Sequence, residues 1–318
     1  MTVYAADLES IKAAAKRIEA SANLTPVLTC QTLDDMTGRS LFFKCENFQK
    51  VGAFKFRGAM NATSRQMGLQ KPSAFVTHSS GNHAQALALA ARVHGVPAHI
   101  VMPTNAPAIK RKAVESYGAT IHPCKPTLSE RTRVADAVCQ QTGGILIPPY
   151  DHEDVIAGQG TVGLELFEQV GPLDAVICPV GGGGLLSGVT LAYQALDPNC
   201  PVLAAEPFGA DDAFLSKQQN RFVPQTSPDT IADGLRTSLG HLTWPIVRDL
   251  VPIIYRVSDG EIRRAMRLIW ERMKIIVEPS AAIVLAAVMA DGFDPDMAYN
   301  RIGLVLSGGN LDLDTLTW

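Results

Sequence analysis

Leu8, Ile11, Ala15 and Ile18 recur at the spacing of one helical face, and Asp7 stands where an N-cap belongs, so the chain is expected to open on a helix. Beyond it, short apolar or β-branched runs alternate with longer stretches of helical period. Residues 41–45, 74–77, 98–101, 120–122, 175–178, 202–205 and 302–306 read as strands. Between them, 82–94 reads as a helix stopped by Gly95, and 258–272 as a helix opened by a capping box of Ser258 and Glu261. In the latter, Ile262, Ala265, Met266, Ile269 and Met273 form the buried stripe, which assigns its two methionines to packing. This is the βαβ rhythm of a parallel, helix-covered sheet. The grouping of three of these strand signals, with helical stretches between, within 71–149 predicts a small domain there, inserted into a larger one made of 1–70 and 150–318.

Composition narrows the class of partner. The 318 residues are 47% hydrophobic and 19% charged, long enough for two domains with a sizeable core. Lys plus Arg number 28 and Asp plus Glu 31, a formal net charge of −3, which argues against an electrostatic grip on nucleic acid or anionic lipid. A small-molecule partner is expected. No apolar run reaches the roughly 20 residues of a membrane span, and acids stand near the N-terminus where a signal peptide would be basic, so a cytoplasmic protein is expected. The six cysteines are scattered without a C-x-x-C pair, and reduced, inert thiols are expected.

The sharpest local signal is the apolar run 175–180 followed by Gly181, Gly182, Gly183 and Gly184 and then a helical stretch. A buried strand, a loop free of side chains and a helix start let several N–H groups converge on a phosphate. Glu206, about 20 residues on, raises the question of a dinucleotide. The spacing answers it: position 185 is Leu, so no G-x-G-x-x-G fits, and the run lacks the Gly-Lys-Ser/Thr of a P-loop. A compact cofactor with one phosphate remains. Lys55, bracketed by Phe54 and Phe56, suits a partly desolvated amine that acts as nucleophile or base. Thr77-His-Ser-Ser-Gly-Asn-His-Ala-Gln-Ala86 is a second strand, small-residue loop and helix start, suited to a carboxylate.

Taken in order, Ala53-Phe-Lys-Phe-Arg-Gly-Ala59, Ser79-Ser-Gly-Asn-His83, the glycine run, Glu206-Pro207 and Leu306-Ser-Gly-Gly-Asn310 resemble the fold type II pyridoxal-phosphate enzymes of the tryptophan-synthase β type. Within them the chain is most similar to the serine racemase and serine/threonine dehydratase family, and the likeness spans nearly all of it. The resemblance implies an α/β fold of two open, parallel-rich sheets covered by helices, with a small lobe inserted in a large one. It implies pyridoxal 5'-phosphate held through a Schiff base to Lys55. Phe54 would line the cofactor, Gly181 to Gly184 would cradle its phosphate, Asn82 would bond the ring 3′-oxygen, and Ser307 the pyridine nitrogen. A hydroxyl there leaves the ring unprotonated and a weaker electron sink, which favours expelling a β-substituent.

By the same resemblance Ser79, Ser80, Gly81, Asn82 and His83 would grip the substrate carboxylate, with Arg131 directed toward the site, and freed Lys55 would remove the α-proton. Ser80 stands where many dedicated dehydratases carry alanine and racemases serine. It reads either as an acid on the face opposite Lys55 or as a residue that fits a tight loop, and 3-hydroxyaspartate dehydratases share the pattern. The loop 206–212 reads by spacing as solvated acids; the resemblance implies a divalent cation (Mg²⁺, or Ca²⁺ or Mn²⁺) held by Glu206, Asp212 and the carbonyl of Ala210. Tyr150 replaces the asparagine of mammalian racemases. Only eight residues follow Asn310, so the isoleucine-sensing domain of biosynthetic threonine dehydratases is not expected.

The expected activity is elimination of water and ammonia from a small β-hydroxy amino acid (serine, threonine or 3-hydroxyaspartate), with serine racemisation beside it. The alternatives are a protein that is mainly a racemase and, in another class, a non-catalytic sensor of a phosphorylated ligand. A homodimer is implied by the resemblance alone.

Overall fold

The computed structural model describes residues 3–106, 108–294, 296 and 298–315. Its elements run α1 (Leu8–Ile18), β1 (Val27–Leu28), α2 (Gln31–Thr37), β2 (Ser40–Cys45), α3 (Lys55–Leu69), β3 (Phe75–His78), α4 (Asn82–His94), β4 (Ala98–Pro103), α5 (Ala108–Ser116), β5 (Thr120–Cys124) and α6 (Leu128–Thr142). They continue with β6 (Ile145–Leu146), α7 (Glu153–Val170), β7 (Ala175–Pro179), α8 (Gly184–Leu196), β8 (Val202–Pro207), α9 (Asp212–Gln219), α10 (Thr243–Leu250), β9 (Ile254–Val257), α11 (Asp259–Leu268), α12 (Pro279–Val288) and β10 (Arg301–Leu306).

The strands form two sheets. One has the order β1-β2-β10-β7-β8-β9, parallel except for the β1–β2 pair, and the other is β5-β4-β3-β6, parallel throughout. Parallel strands covered by helices on both faces must be apolar on both sides. That is why all five residues of β7 and all six of β8 are buried, and five of six in β10.

Both sheets have a topological switch point, the place where strand order reverses and a crevice opens at the carboxyl ends of the strands. In the larger sheet β7 leads outward to β8 and β9, whereas β10 returns on the other side of β7. The crevice between them carries Gly181 to Gly184 after β7 and Ser307 after β10. In the smaller sheet β3 leads to β4 and β5 and β6 returns beside β3, so that crevice carries the Ser79–Gly81 loop and Pro148 to Tyr150.

The apolar pattern does not reveal every element. Strands β1 and β6, two residues each, and β9 are too short or too mixed to stand out as runs. The helix expected over 258–272 stays α-helical only to Leu268, and Ile269–Met273 is a π-helical turn ended by Lys274 in the left-handed region (φ 61°). Its capping box of Ser258 and Glu261 is present. Asp7 caps α1 as the pattern required.

Candidate active site

Lys55 is the first residue of α3, and α3 is held from below by a buried ion network. Arg57, with no exposed surface, donates from Nε to Glu46 at 2.7 Å and from Nη1 to Glu165 at 2.6 Å, and Lys44 joins Glu165 at 2.6 Å. A buried cation is tolerable only when fully paired. The network therefore ties β2, α3 and α7 into one rigid floor and sets where Lys55 begins. Phe54 N–H donates to the carbonyl of Ser307 at 3.0 Å, which joins that floor to the end of β10.

The Lys55 amine donates to the carbonyl of Pro149 at 2.6 Å and lies 5.0 Å from the Phe54 ring centre and 5.9 Å from that of Tyr150. Burial pulls its pKa down to about 8, with the charge of Glu278 acting against it. An amine in that range is neutral often enough near neutral pH to attack or to accept a proton. Tyr150 stands out in the sequence only as a departure from a pattern; in the fold it covers the glycine loop. A Cβ on Gly182 would run into its ring, and one on Gly184 would come within 2.9 Å of its Cβ.

The glycine loop fits a phosphate. A Cβ on Gly181 would strike the Leu235 main chain at 2.8 Å, so no side chain can stand there, and Gly183 has φ +84°, which L side chains rarely adopt. The first hydrogen bond closing α8 runs from Ser187 N–H to Gly183, leaving the N–H groups before it without helical partners. Thr243, fully buried, donates its hydroxyl to the Gly182 carbonyl at 2.9 Å and accepts from Gly240 N–H at 2.7 Å. Because N–H and C=O of a trans peptide point oppositely, a Gly182 carbonyl held on Thr243 turns the Gly183 N–H the other way. Thr243→Val should strand both backbone groups and weaken pyridoxal-phosphate retention by about tenfold, read by the rate of cofactor loss on dialysis; unchanged retention would remove Thr243 from the cradle.

Across the cleft, Asn82 opens α4. Its amide donates to both oxygens of Glu278 at 3.0 and 3.2 Å, and its carbonyl accepts from the Asn310 amide at 3.0 Å. Glu278 also accepts from Asn310 N–H at 3.1 Å. Lys110 of α5 reaches Asp233 of the larger sheet's loops, a second tie across the same cleft. Glu278 gives no signal in the sequence. A glutamate before Pro279 at a helix start looks like an ordinary first-turn acid, and only tertiary burial makes it unusual.

Burial, with Asp233 acting in the same direction, pushes the Glu278 carboxyl up to about 7. Such a carboxyl holds its proton more tightly folded than unfolded. Its contribution to stability is therefore full below the ordinary value of 4.5 and is lost as pH rises through about 7. Cofactor-free protein should lose stability across that window, and Glu278→Gln should flatten the loss; matching slopes in denaturant titrations of the two would refute the assignment.

Of the other expected substrate contacts, Ser79 Oγ accepts from Gly81 N–H at 3.3 Å, Gly81 is the N-cap residue of α4, and Ser80 is half-buried beside them. The ring of His83 is buried: its Nε2 meets the Ile147 carbonyl at 2.9 Å, so it carries the proton there, and its Nδ1 has no partner among the described residues. Burial, with Lys55 acting in the same direction, pulls the ring down to about 3, keeping it neutral. Arg131 lies on α6, and burial first, then the charge of Arg131, lowers the pKa of His78.

Glu206 and Asp212 are both buried. Glu206 accepts from Ala213 and Phe214 N–H at 2.9 and 2.8 Å, capping α9, and Asp212 accepts from Leu239 N–H at 3.3 Å. The other oxygen of Asp212 is buried without a partner, and Ala210 is buried beside them. Burial and mutual repulsion push Glu206 well above the carboxylate range, and burial first of all pushes Asp212 up to about 7. Two crowded acids and an orphan oxygen fit a hard cation. No group of three or more His, Cys, Asp or Glu side chains is gathered for a metal among the described residues.

The chain is similar to known proteins along nearly its whole length. The pyridoxal-phosphate dependent enzyme family matches residues 18–308. Serine racemase of Arabidopsis thaliana is 50% identical over 98% of this chain and 96% of its own length, and that of Homo sapiens 47% over 99% and 94%. The structure of maize serine racemase superposes with a TM-score of 0.96 at 49% identity, covering 98% of this chain and 96% of that one. A threonine deaminase from T.th. gives 0.91 at 43%, covering 96% and 99%.

Proposed function

The chain belongs to the pyridoxal-phosphate dependent enzymes, and from that premise we propose that it racemises serine and eliminates water from it, releasing a 2-oxo acid and ammonia. The observation that carries the reading is the single cleft in which a buried amine, Lys55, stands between a phosphate cradle and a small-residue loop tied to Glu278. The cofactor, when bound, supplies an electron sink that acidifies the substrate α-carbon. Gly181 to Gly184 would hold its phosphate, Ser307 and Asn82 would bond its ring, and Phe54 and Tyr150 would wall off water.

The main-chain N–H groups of Ser79 to His83, at the positive end of α4, orient the substrate carboxylate, with Arg131 adding positive potential. Lys55 Nζ, displaced from its covalent role, accepts the α-proton. Ser80 Oγ returns a proton from the other face for inversion, whereas loss of the β-hydroxyl diverts the same substrate to elimination. Residues 71–149, which hold the smaller sheet, form the lobe that closes over the cleft.

The test is a panel of serine, threonine, 3-hydroxyaspartate and aspartate, scored for both 2-oxo acid and inverted amino acid. Turnover of serine by both routes is expected, and absence of both from protein carrying the visible cofactor band would overturn the reading. Aspartate belongs in the panel because a pyridoxal 5'-phosphate-dependent aspartate racemase superposes at TM-score 0.94 with 36% identity.

Glu206, Asp212 and the Ala210 carbonyl hold a divalent cation, Mg²⁺, Ca²⁺ or Mn²⁺, in this reading, which the orphan oxygen of Asp212 supports. Chelator should lower the melting temperature and Mg²⁺ restore it; indifference to chelator would return the loop to a purely structural role. The protein acts as a homodimer in the cytoplasm. No helix among the described residues is long and apolar enough to cross a membrane.

A further inference from the structure

Away from the cleft, a cavity of about 190 Å³ opens between the far ends of α8 and α10. Thr190 and Gln194 of α8, Cys200 before β8, Lys217 of α9 and Asp249 of α10 line it, with prolines and valines between. Thr190 is 3% exposed and its hydroxyl has no partner. A helical threonine ordinarily bonds back to its own helix; this one is left for something else. Lys217 donates to the Arg248 carbonyl at 3.1 Å and has no carboxylate within ion-pair distance among the described residues. Asp249 accepts from Arg248 at 2.6 and 3.0 Å and from Tyr4 at 3.3 Å. Burial lowers the pKa of Lys217, against the pull of Asp249, and pushes the Cys200 thiol up to about 12, so the thiol is neutral.

We propose that this cavity is a second binding site, for a small zwitterionic amino acid whose carboxylate meets Lys217 and Thr190 and whose ammonium meets Asp249. Lys217 lacks a carboxylate partner among the described residues, and Asp249, which Arg248 and Tyr4 already bond, lines the same space with acceptor capacity to spare. A ligand carboxylate answers Lys217 and the Thr190 hydroxyl, and an ammonium beside it adds to the bonds that Asp249 accepts. At about 30 Å³ per water the space holds roughly six waters, the scale of an amino acid of three or four carbons. The position gives binding a consequence. α8 presents the glycine loop at its other end, six residues from Thr190, and α10 begins at Thr243, which holds the Gly182 carbonyl. A ligand wedged between these helices biases the phosphate cradle, and by linkage cofactor and ligand affect each other's affinity equally.

The site stands independently of the reaction proposed above, and the experiment separates the two. Holoenzyme reduced with borohydride, which fixes the cofactor to Lys55, is titrated calorimetrically with L-serine, with lactate as the anion and ethanolamine as the cation. Saturable serine binding at millimolar concentration is expected, weakened at least about tenfold by Lys217→Met and by Thr190→Val, and kept by Thr190→Ser. Gln194→Trp, at an exposed lining position, should fill the cavity and abolish binding without touching the core. No saturable binding, binding indifferent to all three disruptive variants, or lactate or ethanolamine binding as tightly as serine would overturn the proposal.

Discussion

Lys55→Ala is expected to lose the visible absorbance of the bound cofactor and at least about 10³-fold of both racemisation and elimination. The magnitude follows from two roles in one side chain. In the proposed reaction the amine is both the covalent anchor and the base on one face of the substrate, with a pKa that burial has brought to about 8. Neither Lys44 nor Lys110 can substitute: Lys44 is wholly consumed by Glu165, Thr25 and Gln169 in the ion network, and Lys110 is paired with Asp233. Lys55→Arg keeps the charge but stays protonated at any working pH and should fail as completely. Difference spectra and turnover of serine check both; a variant retaining band and turnover would place the anchor elsewhere.

Ser80→Ala should separate the two activities. Inversion needs a proton donor on each face of the α-carbon, whereas elimination from L-serine needs only the base that removes the proton and an exit for the β-hydroxyl. Racemisation is expected to fall by at least about 10²-fold while elimination from L-serine changes by no more than about tenfold. Elimination from D-serine should fall with racemisation, because in the proposed reaction its α-proton faces Ser80. The substitution is small, at a half-buried loop position next to Gly81, and leaves the Ser79–Gly81 bond intact. Equal loss of every activity would make Ser80 a residue of the loop's shape alone.

The residues that formed contiguous motifs were legible because their chemistry is local. Four glycines after a buried strand leave main-chain N–H groups bare whatever surrounds them, and Gly183 takes the positive φ that such a run permits. Lys55 between two phenylalanines, and a Ser-Ser-Gly-Asn-His turn at a helix start, likewise carry their meaning in a few residues. Even the N-caps of α1 and α11 follow from single side chains three positions from their partners.

What was not legible depends on residues distant in sequence. Glu278 becomes an unusual acid through burial and through Asp233, about 45 positions away, while its bonds to Asn82, 196 positions away, act against the shift. Thr243 reaches Gly182 across 61 positions, and Tyr150 covers a loop about 30 residues further on, which no spacing rule connects. The bond between the His83 ring and the Ile147 carbonyl, 64 positions away, is another contact that no motif displays.

The sequence by itself thus determined the parallel α/β class and singled out the glycine loop, Lys55 and the small-residue turn, since apolar periodicity and bare backbone act within a turn or a strand. Tertiary structure decided the rest. The two switch points had to face each other before Lys55, Asn82 and Ser307 could share a cleft, and pKa values depend on burial, which belongs to no residue alone. Strand order set the meeting of the loops, and desolvation at that meeting set the chemistry of Lys55 and Glu278.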